Sequence, residues 1–276
     1  MRIAIVTDST SDISPELAEE YDISVIPAIL VVNGQSLEDG SGISRDELYE
    51  QLPTMNTPPT TASPSMAAFE QVYDFLLRNG ADQVISIQVS STLSSIYNTA
   101  LLAAKTFGKR VHVVDSRQVT LGLGFQVLAA AQAAKSEQTL AEIQNIIDDI
   151  RRRIHLVAML DTLEYAYRSG RVSWARTNLS AIFRIKPFVS VVNGDVLRMG
   201  ETRTRQKGIE RLYKMLSDLG PLERLAILHT NAEADALEAV EHFKSVVKQH
   251  PLIINVTSLI GVHVGPHGLG FVAVTE

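Results

Sequence analysis

The chain has 276 residues, of which 45% are hydrophobic and 20% charged, too apolar a composition for a disordered protein. Its 25 Lys and Arg against 31 Asp and Glu give a formal charge of -6, which argues against a globally electrostatic nucleic-acid binder. There is no cysteine, so disulfides, thiolate metal sites, iron–sulfur clusters and a cysteine nucleophile are excluded, and a cytoplasmic protein is expected.

Asp8 follows directly on the first short apolar run, so the N-terminus does not read as a signal peptide. Residues 118–134 and 255–275 lack Asp, Glu, Lys and Arg, but the first stretch is short and mildly apolar and the second is broken by Pro266, two histidines and several glycines. Neither suits a spanning helix, and no stable membrane insertion is expected.

In chain order, residues 3–6 form a β-branched run that predicts a strand. Ser14 before Pro15 reads as an N-cap followed by proline in the first helical turn. Residues 23–32 are apolar and β-branched, with Pro27 marking a bend or an edge. Ser44 and Glu47 have the spacing of a capping box for a helix to about residue 52. Phe69, Val72, Tyr73 and Leu76 predict a helix after Pro64. A strand at 84–89, a helix at 94–106, a strand at 111–114 and helices at 121–135 and 140–153 follow. Strands alternating with helices imply a parallel, helix-covered sheet.

Beyond this point the pattern changes. A strand at 157–160 precedes a helical turn at 163–167 and a polar, basic segment through Ser169 and Arg176. Residues 185–192 and 196–199, joined by Asn193-Gly194-Asp195, read as a β-hairpin. A helix at 204–216, a strand at 225–228, a helix at 232–248 and strands at 253–259 and 271–274 complete the chain. The expected domains are 1–157 and 158–276, with a ligand cleft between them.

Five segments carry candidate chemistry. Residues 7–12 (Thr-Asp-Ser-Thr-Ser-Asp) end the first strand, where α/β sheets bind ligands; equally, Asp8 and its neighbouring hydroxyls can satisfy the loop backbone. In the run 59–65, Ser63 before Pro64 reads as an N-cap and Thr61 as an added hydroxyl donor, suiting a carboxylate or phosphate. Residues 90–95 (Ser-Ser-Thr-Leu-Ser-Ser) place hydroxyls where a nucleotide-binding protein has glycines. A short anion fits them better than a nucleotide. Around His263, Gly261 and Gly265 would allow close backbone approach to a ligand. His263 and His267 do not make a metal site, because Gly265-Pro266 prevents the helix that would align them. Finally, residues 168–211 hold about ten basic side chains against about three acidic ones. Arg168, Arg171, Arg176, Arg184, Lys186, Arg198, Arg203, Arg205 and Lys207 are among them. Such a run is either a solvated face or a docking surface for an acidic partner or its phosphate.

Taken in order, these motifs resemble the DegV family. The resemblance rests on residues 7–12, 61–65 and 90–94, together with Val114-Asp115-Ser116, residues 161–165 and Gly170-Arg171. It continues through Ile185-Lys186-Pro187, Arg203-Thr204-Arg205 and residues 261–266, so it spans the chain. It implies a two-domain α/β fold, with an N-terminal parallel sheet flanked by helices and a C-terminal α/β domain with a mixed sheet. It implies a non-enzymatic carrier of one long-chain fatty acid, with no cofactor and no metal, that presents the carboxylate to a separate ATP-dependent fatty acid kinase for acyl phosphate formation. By resemblance, Thr61, Ser94, Ser95 and His263 hold the carboxylate, while Arg171, Arg203 and Arg205 face the kinase or the transferred phosphate. Ala62, Ser95-Ile96 and His267 depart from the family pattern. Two alternatives stay open from the residues alone. One is an enzyme, a hydrolase or phosphotransferase using Ser94 or Asp8 with His263. The other is a binder of another small anion.

Overall fold

The computed structural model describes residues 1–172, 185–247 and 249–276. The first strand, β1 (Ile3–Asp8), is buried along its whole length, as its apolar run requires of a strand covered on both faces. Ser14 caps α1 (Pro15–Glu20) by accepting from Leu17 N–H, and Pro15 occupies the first turn. Pro27 divides the next apolar run into β2 (Ile23–Ile26) and β3 (Ile29–Val32), which join different sheets. Asn33 and Gly34, both at positive φ, turn β3 into β4 (Gln35–Glu38). The Ser44–Glu47 capping box starts α2 (Arg45–Gln51) as expected.

After β5 (Thr60–Ala62) come α3 (Met66–Arg78), β6 (Gln83–Gln88), α4 (Ile96–Ala104), β7 (Val111–Asp115), α5 (Leu121–Lys135) and α6 (Leu140–Arg153). Then follow β8 (Ile154–Met159), α7 (Glu164–Ser169), the hairpin β9 (Lys186–Val192) and β10 (Asp195–Thr202), α8 (Arg205–Ser217) and β11 (Leu222–His229). The chain finishes with α9 (Glu233–Phe243), β12 (Leu252–Asn255), α10 (Ser258–Val264) and β13 (Leu269–Thr275). Among the described residues, no helix is long and apolar enough to cross a membrane.

The chain forms two compact units, one of residues Met1–Ile29 and Thr61–Arg152, the other of Leu30–Thr60 and Arg153–Glu276. In the first, four parallel strands run in the order β2-β1-β6-β7, with α3, α4 and α5 packed on them. This is the parallel, helix-covered sheet that the alternation predicted. In the second, six strands run in the order β10-β9-β8-β13-β11-β12, with β11 and β12 parallel and the other pairs antiparallel. Phe188, Phe271, Met159, Leu212, Ile227 and Phe243 form part of its core. Each such side chain contributes roughly 1.5–3 kcal/mol by leaving water. A small sheet of order β4-β3-β5 completes the architecture.

The expected domains divided the chain once, at 157/158. In the structure residues 30–60 group with the C-terminal stretch instead. The cause is a set of long-range bonds invisible in sequence. Arg45 donates to Asn255 O at 2.5 Å, Asn255 Nδ2 donates to Asp46 at 2.6 Å, Tyr49 Oη donates to Val256 O at 2.8 Å, and Thr257 Oγ1 donates to Asp39 at 2.7 Å.

Two elements also depart from expectation. The strand expected over 253–259 ends at Asn255, and Leu259 lies in α10, because Thr257 caps that helix by accepting from Leu259 N–H. The helix expected over 232–248 ends at Phe243. Its expected last residue, Lys248, lies outside the described residues, as do Arg176 and Arg184 of the basic segment.

Candidate functional site

In the first unit, the connection from β1 leads outward to β2 on one side, while β6 leads outward to β7 on the other. The strand order therefore reverses between β1 and β6, and the crevice beyond their carboxyl ends is where a parallel sheet binds ligands. The loop after β1 carries Asp8 to Asp12, and the loop after β6 carries Ser90 to Ser95.

In the first of these loops Asp8, Ser9 and Asp12 are bonded to the protein, while the buried hydroxyls of Thr7 and Ser11 have no partner among the described residues. Asp8 is fully buried; Oδ1 accepts from the backbone and hydroxyl of Thr10, and Oδ2 accepts from Val89 N–H at 2.9 Å. The carboxylate thus ties the end of β1 to the end of β6. Ser9 Oγ accepts from Ala28 N–H, and Asp12 accepts from Thr120 Oγ1 at 2.7 Å. Asp8, Ser9 and Asp12 thus serve backbone and side-chain groups of the protein itself, the role that one of the two readings of residues 7–12 gives them.

The serine run after β6 divides in two. Ser90 and Thr92 bond each other at 2.9 Å, and Ser91 Oγ donates to Asp115 Oδ2 at 2.6 Å, so these hydroxyls shape the turn. Ser94 and Ser95 stand at the start of α4. Ser94 Oγ accepts from Ile96 N–H at 3.3 Å, which uses a lone pair and leaves the hydroxyl proton to donate. The first turn of α4 adds the partial positive charge of its amide groups.

Ser63 is not the helix cap that its place before Pro64 suggested. Ser65 caps α3, accepting from Ala68 N–H at 3.1 Å. Pro64 separates the two serines, and Ser63 Oγ lies 2.6 Å from Ser95 Oγ. The segment that bears Thr61 on β5 is thereby joined to the turn that bears Ser94 and Ser95. Three of the expected head-group residues thus share one neighbourhood, with Ser63 as an added member.

The fourth, His263, belongs to the second unit and lies in α10. Burial, and secondarily the positive charge of Arg171, push its imidazole down to about 4, so it is neutral near pH 7 and carries one N–H. The flanking glycines serve packing within this unit. A Cβ on Gly261 would lie 2.4 Å from Tyr49 Oη, and one on Gly265 would lie 2.2 Å from the Tyr165 ring. Gly265 also has φ +79°, which ends the helix. Buried Thr230 fixes the following turn, donating to Gly265 O and accepting from Gly268 N–H, both at 2.7 Å. His267 is exposed in that turn, and no group of side chains among the described residues could hold a metal ion.

Of the eight described basic residues of the segment, four are ion-paired within the chain. Arg168 bonds Glu164 at 2.5 Å, Lys186 bonds Asp161 at 2.5 Å, and Arg198 bonds Glu201. Arg211 donates to Met199 O at 2.7 Å and covers the Phe188 ring. Arg205 bonds Asp235 through two nitrogens and donates to His267 O at 2.6 Å. Arg171 is exposed and donates to the nearby Ser169 O, and Arg203 is exposed.

Residues 2–276 match the model of the family described as "Uncharacterised protein, DegV family". The chain belongs to the DegV family. A DegV domain-containing protein of Deinococcus radiodurans is 34% identical, the match covering 98% of this chain and 97% of the relative. Among solved structures, a DegV family protein from Thermus thermophilus, described for its fatty acid binding, superposes with a TM-score of 0.93 at 29% identity over 100% of both chains. DegV of Bacillus subtilis, described as a fatty acid binding protein, superposes with a TM-score of 0.87 at 28% identity over 100% of both chains. The two-domain α/β fold expected from the resemblance is thus the fold of DegV proteins.

Within this DegV chain, sequence reasoning missed Ser63, Tyr49 and Tyr165. Ser63 carried a competing local signal, Pro64, which made a cap the simpler reading. Tyr165 ends the 161–165 motif, which gave it no role, and Tyr49 carried no signal, since what marks both is a glycine far away in sequence.

Proposed function

We propose that this chain binds a long-chain fatty acid and acts as a carrier rather than an enzyme. The carboxylate is taken by Thr61, Ser94 and Ser95, with the neutral His263 as a further N–H donor, and the tail is buried in apolar interior. The observation that carries the proposal is the Ser63–Ser95 hydroxyl pair beside Ser94, at the carboxyl end of β6. A few fixed hydroxyls suit a single carboxylate, and the sequence has no glycine-rich loop for a triphosphate. Relatives at 28–29% identity that are described as binding fatty acids support the same ligand class. Ten buried methylenes would contribute about 8 kcal/mol, enough to retain the ligand through purification.

The carrier presents its carboxylate to a separate ATP-dependent kinase, which forms the acyl phosphate. Arg171 and Arg203 are the exposed cations suited to meet that partner. Arg205, held by Asp235, donates to His267 O and so supports the His267 turn.

Mass spectrometry of the lipid extracted from denatured, purified protein tests the ligand. One fatty acid per chain is expected. An empty or purely polar extract, with no uptake of added fatty acid, would overturn the proposal.

A further inference from the structure

Helix α10 has only seven residues, too few to hold its own geometry in water. Its C-terminal end is fixed by neighbours from the C-terminal stretch, namely the Tyr165 ring against Gly265 and Thr230 on Gly265 O. Its N-terminal end is fixed by the segment 30–60. Thr257, the N-cap, donates its hydroxyl to Asp39 Oδ2 at 2.7 Å while accepting from Leu259 N–H. Tyr49, a fully buried residue of α2, donates to Val256 O at 2.8 Å and lays its ring against Gly261, two residues before His263. Arg45 and Asp46 bond Asn255, just ahead of the cap.

We propose that Tyr49 and Asp39 are positioning residues for His263: the segment 30–60 seats α10 so that the imidazole meets the ligand carboxylate. This rests on the fatty-acid carrier proposed above for the ligand, though not for the seating itself. The ring of Tyr49 sets the distance of the helix through Gly261, and its hydroxyl sets the helix's start through Val256. Asp39 orients the cap. Neither residue needs to touch the ligand.

The test uses the full chain with isotope-labelled histidine and palmitate as the probe. The His263 imidazole resonance is identified by its loss in His263→Ala. Tyr49→Phe keeps the ring and removes the Val256 bond. It is expected to move the His263 resonance, leave that of His155 in place, and weaken palmitate binding several-fold, up to about tenfold. In the His263→Ala background the same substitution should change binding by less than about twofold. Asp39→Ala, which removes a different bond, should move the same resonance and carries the test if Tyr49→Phe fails to fold. An unmoved His263 resonance in both variants, or an equal loss of binding with and without His263, would overturn the proposal. If the wild-type chain takes up no palmitate, the carrier function falls, while the resonance still decides the seating.

Discussion

The hydroxyl oxygens of Ser63 and Ser95 lie 2.6 Å apart, although the residues are 32 positions apart in sequence. Two hydroxyls in one bond share two protons. One is used between them, and the other remains on the accepting oxygen. The pair therefore offers one O–H outward, polarised by the bond it already accepts. Ser94, whose oxygen accepts from Ile96 N–H, offers a second. Two hydroxyl donors at the start of a helix match the two oxygens of a carboxylate.

Removing these donors should weaken the ligand without unfolding the chain. Ser94→Ala or Thr61→Ala is expected to reduce fatty-acid affinity roughly 10–100-fold, the effect of losing a hydrogen bond to a charged group. Displacement of a fluorescent fatty acid measures it, with thermal denaturation as the control. Unchanged affinity in both variants would place the head group elsewhere.

The buried imidazole should leave a mark on stability. His263 titrates near 6.5 when unfolded and at about 4 when folded, so the unfolded chain binds the extra proton first. Its contribution is fully present above pH 6.5 and is lost as pH falls toward 4, by on the order of 2–3 kcal/mol. His155 and His229 are lowered by burial too and act in the same direction. The comparison of wild type with His263→Ala isolates His263. The difference in melting temperature between the two should narrow between pH 6.5 and 4, and a constant difference would contradict the assignment.

Arg203 and Arg205 should separate cleanly. Arg203→Glu is expected to stay within about 0.5 kcal/mol of wild-type stability, as an exposed substitution. Arg205→Ala breaks its bonds to Asp235 and His267 O and should cost about 1–3 kcal/mol. Urea denaturation gives both values. With a partner kinase, Arg203→Glu should lower phosphorylation while lipid binding holds; loss of lipid binding instead would place Arg203 in the pocket.

Gly261→Ala and Gly265→Ala should each destabilise the chain by about 2 kcal/mol or more, because a tyrosine ring occupies the space of the new methyl group. Shortening the opposing side chain tests the cause. Tyr165→Leu should recover part of the loss in Gly265→Ala only to the extent that the clash, rather than the positive φ, sets it.

Regular elements with strong local signals were legible in the sequence. Residues 121–135 and 140–153 were expected as helices and are α5 and α6. Asn193-Gly194, with both residues at positive φ, turns the expected hairpin. What was illegible depends on distant partners. The strand expected over 253–259 runs into Ser258–Val264, which is helical because Thr257 caps it and Asp39 and Tyr49 hold it. Gln35–Glu38 is mostly exposed and lacks the apolar alternation that announces a strand. At the candidate site, the hydroxyl-rich segments stood out by composition. Their division into turn-shaping and outward-facing hydroxyls did not, since Asp115 and Ser63 make that division from elsewhere in the chain. The basic run likewise gives up part of its apparent excess to Asp161, Glu164 and Asp235, which lie outside it.

The second unit is assembled from two stretches of chain with the first unit's longer stretch between them. On the ribosome this imposes a waiting time. Tyr49 and its acceptor, Val256, are 207 residues apart, so at ordinary elongation rates α2 is exposed for roughly 10–40 s before its binding surface is made. The strands and helices of 61–152 can close on 1–29 during that interval. The fold thus has a built-in order of birth, in which the unit that bears His263 matures last.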